Sequence, residues 1–204
     1  MLLAYAQGMG TGAGLIIAIG AQNAFVLSQG IRKNHRLVIP LICALCDAIL
    51  VFAGVTGMGS LMASHPSLTF IAGIGGALFL FLYGVRAFYS ACRTNALETQ
   101  EAHATSLRTA VLSTLGVTLL NPHVYIDTVL LLGSIAGQFR PGGHLAFGAG
   151  AVTASFLWFF SLSLGAGFLA PLFRTALAWR LLDIFVGTVM WGIAFSLAKG
   201  ILLA

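Results

Sequence analysis

The stretch Asn121-Pro122-His123-Val124-Tyr125-Ile126-Asp127 places two titratable side chains and a helix breaker inside an otherwise apolar run. Asn is a favoured helix N-cap, and Pro is favoured at the first helical position, where its missing donor is not needed. A helix starting at Pro122 would aim free backbone N–H groups and a partial positive charge back towards Asn121, an arrangement suited to a carboxylate. Asp127 and a second acid in apolar surroundings, Asp47, offer the opposite pole, suited to an ammonium, a guanidinium or a proton. A zwitterion with an additional positive charge matches both poles together. The plainer alternatives are a kink in a packed helix for Asn-Pro and a hydrogen bond to neighbouring backbone for Asp47. His123 reads equally well as a proton relay or as a partner for a carbonyl. Gln22-Asn23 is a further polar pair flanked by apolar residues.

What surrounds these groups gives them their weight. Hydrophobic residues make up 59% of the 204 and charged residues 7%, against about 25% charged in soluble domains; the mean hydropathy is +0.99. The expectation is an all-α integral membrane protein forming one membrane transport domain over residues 1–204. Acids and amides held in hydrocarbon are costly, and such residues mark substrate or ion pathways. Residues 1–31 contain no Lys or Arg, so the basic start of a secretory signal is missing and the first apolar stretch reads as a permanent span. The net charge of +5 falls in connections, where it reports topology rather than nucleic-acid binding. Cys43 and Cys46 form Cys-x-x-Cys inside an apolar helix, where small buried hydrophobes are a better reading than a redox pair. His35, His65, His103 and His144 fall in loops with no metal-ligand spacing, so neither metal nor cofactor is expected. Trp158, Trp179 and Trp191 read as belt or packing residues. Asp183 reads as a surface partner of Arg180, three residues away.

A span needs about 20 apolar residues, and six stretches qualify: 3–28, 37–62, 68–91, 107–138, 145–170 and 181–203. The fourth is too long for one straight helix and is broken at Asn121-Pro122. Arg32, Lys33, Arg36, Arg86, Arg93, Arg108, Arg174 and Arg180 fall on one side of the resulting topology, and Arg140 and Lys199 on the other. The excess of positive charge marks the cytoplasmic side and puts both termini outside it. A five-span alternative makes the glycine-rich first segment re-entrant. With three spans in each half, residues 1–91 and 107–204 would be inverted repeats, each opening with an interrupted span. Paired interrupted segments point to a transporter site at the repeat interface. By helical rise, Asp47 lies about 16 Å in from Arg36, Asn23 about 14 Å from Arg32 and Asn121 about 20 Å from Arg108, all near the middle of a roughly 30 Å core. Gly8, Gly10, Gly12 and Gly14 form two overlapping small-xxx-small pairs for close helix contact.

These residues carry a family resemblance. Ile19-Gly20-Ala21-Gln22-Asn23-Ala24-Phe25-Val26-Leu27 with Gln29-Gly30-Ile31, Cys46-Asp47, Leu120 to Asp127, and Ala154-Ser155-Phe156-Leu157-Trp158-Phe159 resemble the lysine exporter superfamily, in its lysine/arginine exporter branch, over nearly the whole chain. The resemblance implies export of basic amino acids across the bacterial inner membrane, driven by the proton-motive force, by a multi-pass secondary transporter and not an enzyme. Its functional carboxylates and Asn-Pro turn map onto Asp47, Asp127, Asn121 and Pro122. Three positions depart from the family pattern: Ala21 replaces a Pro, Cys46 a Ser and Leu119 a Trp. The first-span break is therefore expected to be softer, or to rest on Gly20 alone.

The resulting expectation is export of L-arginine, with L-lysine and canavanine as further substrates, using Asp47, Asp127, Asn121, Pro122, Asn23, Gln22 and His123 as substrate or proton sites. Its partners are the basic amino acid, protons or another coupling ion, and the lipid bilayer; a homo-oligomer is left open and no nucleic acid is expected. The alternatives are an exporter of neutral amino acids or of a cation, and a membrane thiol–disulfide electron carrier. The last would want a reactive cysteine in each half, and residues 107–204 contain none.

Overall fold

A computed structural model describes residues 1–17, 20–58, 66–93, 105–139, 142–169 and 175–202. All regular structure among them is helical: α1 (Leu2–Ile16), α2 (Ala21–Ile31), α3 (Val38–Ala53), α4 (Pro66–Arg93), α5 (Leu107–Leu119), α6 (Pro122–Tyr125), α7 (Leu132–Ala136), α8 (Gly143–Leu169) and α9 (Ala176–Leu202). A π-helical turn, Ile126–Leu131 between α6 and α7, and a kinked turn, Gly54–Met58 after α3, in which Gly57 takes φ +97°, complete the set. Within Val38–Gly57, Gly143–Phe168 and Leu177–Ser196 the chain is long and apolar enough to cross a membrane unaided; α1 with α2 makes a fourth such stretch if the bent pair counts as one span.

α3 shows how the bundle faces lipid. Leu41, Leu45 and Ile49 recur at helical spacing and are exposed, Ile49 to 70%. The opposite face buries Ile39, Cys43, Ala44, Asp47 and Val51. A chain folded in water would hide the first set; in a bilayer the tails are as apolar as leucine, and the polar groups turn inward. Cys43 and Ala44 join a core around Phe25, Leu80, Val117, Phe159 and Met190. Val51 and Val55 join a second, with Leu132, Phe147 and Ala151. Asp47 lies on α3 between the two.

Close packing of α1 on α8 uses one of the two glycine pairs. A Cβ at Gly8 or Gly12 would overlap the backbone of Phe147 or Ala151, whereas Gly10 and Gly14 face open space. Gly150 of α8 answers with an equally tight approach to Tyr5, and the Tyr5 hydroxyl donates to Thr153 Oγ1 at 2.9 Å. α4 and α9 run antiparallel, with Trp191 against Gly84, Phe88 against Gly187, and the Trp191 indole donating to the Phe81 carbonyl at 3.2 Å.

The ends of the helices sort by charge. The Arg32 guanidinium donates to Asp183, Asn34 donates to Thr105, and Arg180 donates to the Ala91 carbonyl. These contacts bring the end of α2, the starts of α5 and α9 and the end of α4 together, so Arg32, Lys33, Arg86, Arg108 and Arg180 share one end. One sequence reading is corrected here. Asp183 is 4% exposed and pairs with Arg32 and Ser90 rather than with Arg180 at the surface. Its partner lies 151 residues away, beyond the reach of any local spacing rule.

Candidate functional site

Both interruptions open onto one cavity. The axes of α1 and α2 differ by 80°, and Gly20 takes an extended backbone (φ −140°, ψ 176°) as the N-cap of α2. The first break is therefore sharp, and Gly20 sits at it even with Ala21 in place of the family's Pro. Asn23 ties the corner: its Nδ2 donates to the Ile16 carbonyl at 2.7 Å, satisfying one of the carbonyls left over where α1 stops. Its Oδ1 accepts the Trp158 indole N–H of α8 at 3.1 Å. Trp158 thus holds a site residue, a role its sequence reading as belt or packing missed.

At the second break α5 ends and the chain restarts at Pro122, with the Val124 N–H donating to the Asn121 carbonyl at 3.1 Å. The Tyr125 hydroxyl donates to the Leu119 carbonyl at 2.9 Å, bridging the interruption. After one turn of α-helix the ladder widens into the π turn 126–131, and Asp127 stands on it. Such turns interrupt the regular i→i−4 bonding and recur at functional sites. Thr128 Oγ1 donates to the Val124 carbonyl at 2.6 Å. The kinked turn after α3 packs directly against this one: a Cβ on Gly54 would overlap the carbonyls of Thr128 and Val129, and one on Gly133 that of Gly54. Glycine is needed there because backbone meets backbone.

The cavity has a volume of about 280 Å³ and is lined by Gly20, Gln22, Asn23, Asp47, Asn121, Asp127 and Thr128, with Leu15, Ile16, Val124, Leu132 and Ile193 as apolar wall. Its size is near the lower end of small-molecule sites, which run from about 300 Å³. Asp47 is 2% exposed and accepts the Ser155 hydroxyl of α8 at 2.7 Å. The hydrogen bond expected of Asp47 therefore exists, but to a side chain and not to backbone. The Gln22 amide nitrogen is buried with no close hydrogen-bond partner among the described residues, and the Gln22 side chain neighbours both the Asp47 carboxylate and the Cys43 thiol. Cys43 and Cys46 are buried; Cys43 Sγ lies 3.9 Å from the Thr118 hydroxyl, in keeping with small packing residues. Of the seven site residues named from sequence, five line this one cavity. The side chains of Pro122 and His123 lie outside what the structure describes. Ser155 and Trp158 were the omissions; both belong to a stretch singled out for resemblance, but only the packing of α8 on α2 and α3 shows what they hold.

Such a cavity can bind a cation through two acids and an anion through the turn at Asn121, with amides between. The model of the LysE type translocator family matches residues 13–200. The arginine exporter protein ArgO of Salmonella typhimurium is 46% identical over 201 residues, covering 98% of this chain and 95% of its own. The arginine exporter protein ArgO of Klebsiella pneumoniae is 45% identical over 200 residues with the same coverage. No solved structure matches. The chain belongs to the LysE type translocator family, and is a membrane transporter rather than an enzyme.

Proposed function

We propose that this protein exports basic L-amino acids, L-arginine first with L-lysine and canavanine beside it, from the bacterial cytoplasm across the inner membrane, driven by the proton-motive force. The observation that carries the reading is the meeting of Asp47, Asp127 and Asn121 around one cavity. The guanidinium lies against the acids and the α-carboxylate faces the backbone N–H groups that open the half-helix at Pro122. An acid that alternates between holding the substrate cation and holding a proton couples the two without further machinery. The names of the relatives, both arginine exporters, support the same substrate.

The reading extends to architecture. One membrane domain spans residues 1–204, with six spans in two inverted halves of approximately 1–91 and 107–204. Support comes from the paired breaks at Gly20 and Asn121, which line the same cavity, and from the basic residues gathered at one end of the bundle, the cytoplasmic end by the positive-inside rule.

Everted membrane vesicles test the function. Labelled L-arginine added to the exposed cytoplasmic face should accumulate inside, faster with an imposed pH gradient than without. Citrulline, a neutral near-isostere, should compete poorly, because an acid left without its cation in a buried site costs about 2 kcal/mol or more. Equal competition by citrulline and arginine would overturn the cation site.

A further inference from the structure

A second cavity, of about 440 Å³, opens at the basic end of the bundle. Gln22 and Asn23 of α2 line the central cavity, whereas Ser28, Gln29 and Arg32 of the same helix line this one. On α9 the division is the same: Ile193 faces the centre, and Asp183 and Val186 the second cavity. Ten residues of helix separate Asp183 from Ile193, about 15 Å. Between the two spaces lie Phe25 and Met190, both buried, with Tyr83 edge-on to Phe25 at 5.8 Å between ring centroids. The second cavity is therefore a separate vestibule on the cytoplasmic side of an apolar partition.

The charges of the two spaces are opposite. The charged residues lining the central cavity are Asp47 and Asp127; those lining the vestibule are Arg32, Arg86 and Asp183. Arg32 and Asp183 neutralise each other, and the Arg32 guanidinium also sits 4.8 Å from the Trp179 ring. Arg86 remains, an exposed guanidinium with no ion-pair partner among the described residues. Hydroxyls of Ser90, Thr109 and Ser113 line the same space, and the Asp183 carboxylate spends one oxygen on Arg32 and the other on Ser90 at 2.8 Å, with acceptor capacity left over.

We propose that this vestibule is a loading site for the α-amino-acid end of the substrate, Arg86 holding the α-carboxylate and Asp183 with its hydroxyl neighbours the α-ammonium. The inference rests on the export reading and deepens it by dividing recognition between two places. The centre binds the whole substrate and selects its cationic side chain; the vestibule screens for the carboxylate beforehand. A cation without a carboxylate, such as agmatine, meets the positive charge of Arg86 before it can reach the acids that would welcome it. Repulsion of the wrong ligand is a standard source of specificity, and the Arg86 cation at the mouth supplies it.

Everted vesicles carrying unmodified protein, Arg86→Gln, Arg86→Glu and Arg86→Lys decide the matter, with labelled L-arginine and agmatine both presented to the cytoplasmic face. Arg86→Gln should raise the KM for arginine about threefold to tenfold and strengthen competition by agmatine, with the maximal rate little changed. Arg86→Glu should carry the arginine-to-agmatine ratio further in the same direction, and Arg86→Lys should restore it. A merely structural Arg86 would lower the maximal rate and leave that ratio alone. Arginine uptake by all four proteins at one unchanged ratio overturns the loading site and leaves the export reading standing. Absence of arginine uptake by the unmodified protein overturns the export reading, and the loading site with it.

Discussion

Asp47 is held on α3 in a buried position by the Ser155 hydroxyl, across 108 residues of sequence, with the Gln22 side chain as a second polar neighbour. Such a carboxylate keeps most of its acceptor capacity for something that is not protein. Asp47→Asn removes the charge at constant size, so export should be abolished while expression and insertion persist; near-normal arginine efflux would rule the role out. Ser155→Ala leaves the acid and removes one charge-assisted bond, worth about 1.5–3 kcal/mol. Export by that variant should fall about tenfold and survive, since a cation can supply the interaction that the hydroxyl gave up. At this scale sequence was informative about which groups gather at the cavity and poor on what holds them. Asp47, Asp127, Asn121, Asn23 and Gln22 stand out because a polar group in a lipid-length apolar run needs a reason. Ser155 and Trp158 do not stand out, since serine and tryptophan are ordinary in membrane helices, and the spacing that pairs them with α3 and α2 is tertiary.

The helices carry their own instructions unevenly. Pro122 and Gly20 announce breaks, and breaks occur at both. Nothing local announces the π turn on which Asp127 stands; what accompanies it is tertiary, the backbone approach of Gly54 to Thr128 and Val129 and of Gly133 to Gly54. The four glycines of α1 were legible as a packing device, but the choice of Gly8 and Gly12 over Gly10 and Gly14 depends on where α8 lies. That choice gives a paired test. Gly12→Leu should destabilise the detergent-solubilised protein by about 1–3 kcal/mol, the usual cost of overpacking, and lower its melting temperature; Gly10→Leu should leave the melting temperature near that of the parent. Equal effects would mean that α1 does not meet α8 along this face. Pro122→Ala addresses the second break. A continuous helix offers no free N–H groups at that depth, so discrimination between arginine and its methyl ester should weaken more than discrimination between arginine and citrulline. If both are unchanged, Asn121-Pro122 is a kink and not the carboxylate site.

For the molecule as a whole, the distribution of charge is the strongest topological statement. Arg32, Lys33, Arg86, Arg108 and Arg180 share one end through contacts that span the chain. That end faces the cytoplasm if the positive-inside rule holds, and two consequences then follow from connectivity alone. The connections after α2 and after α4 lie inside, while the connection after α3 and both termini lie outside. Cysteine labelling reads this directly once Cys43, Cys46 and Cys92 are replaced. The first two are buried and Cys92 is exposed, so removing Cys92 matters most for background. Cysteines at Lys33, which is exposed in the α2–α3 connection, and at Asn95 should resist an impermeant maleimide added to intact cells and react in everted vesicles. Cysteines at His65 and Ala204 should do the reverse. If Ala204 labels from the cytoplasm while His65 labels from outside, the chain crosses an even number of times after α4. The two halves are then not inverted repeats, and the breaks at Gly20 and Asn121 would need an origin other than symmetry. If the four positions label as stated, two three-span halves insert in opposite senses, and the cavity where their broken spans meet lies at the level where inverted halves place a transported substrate.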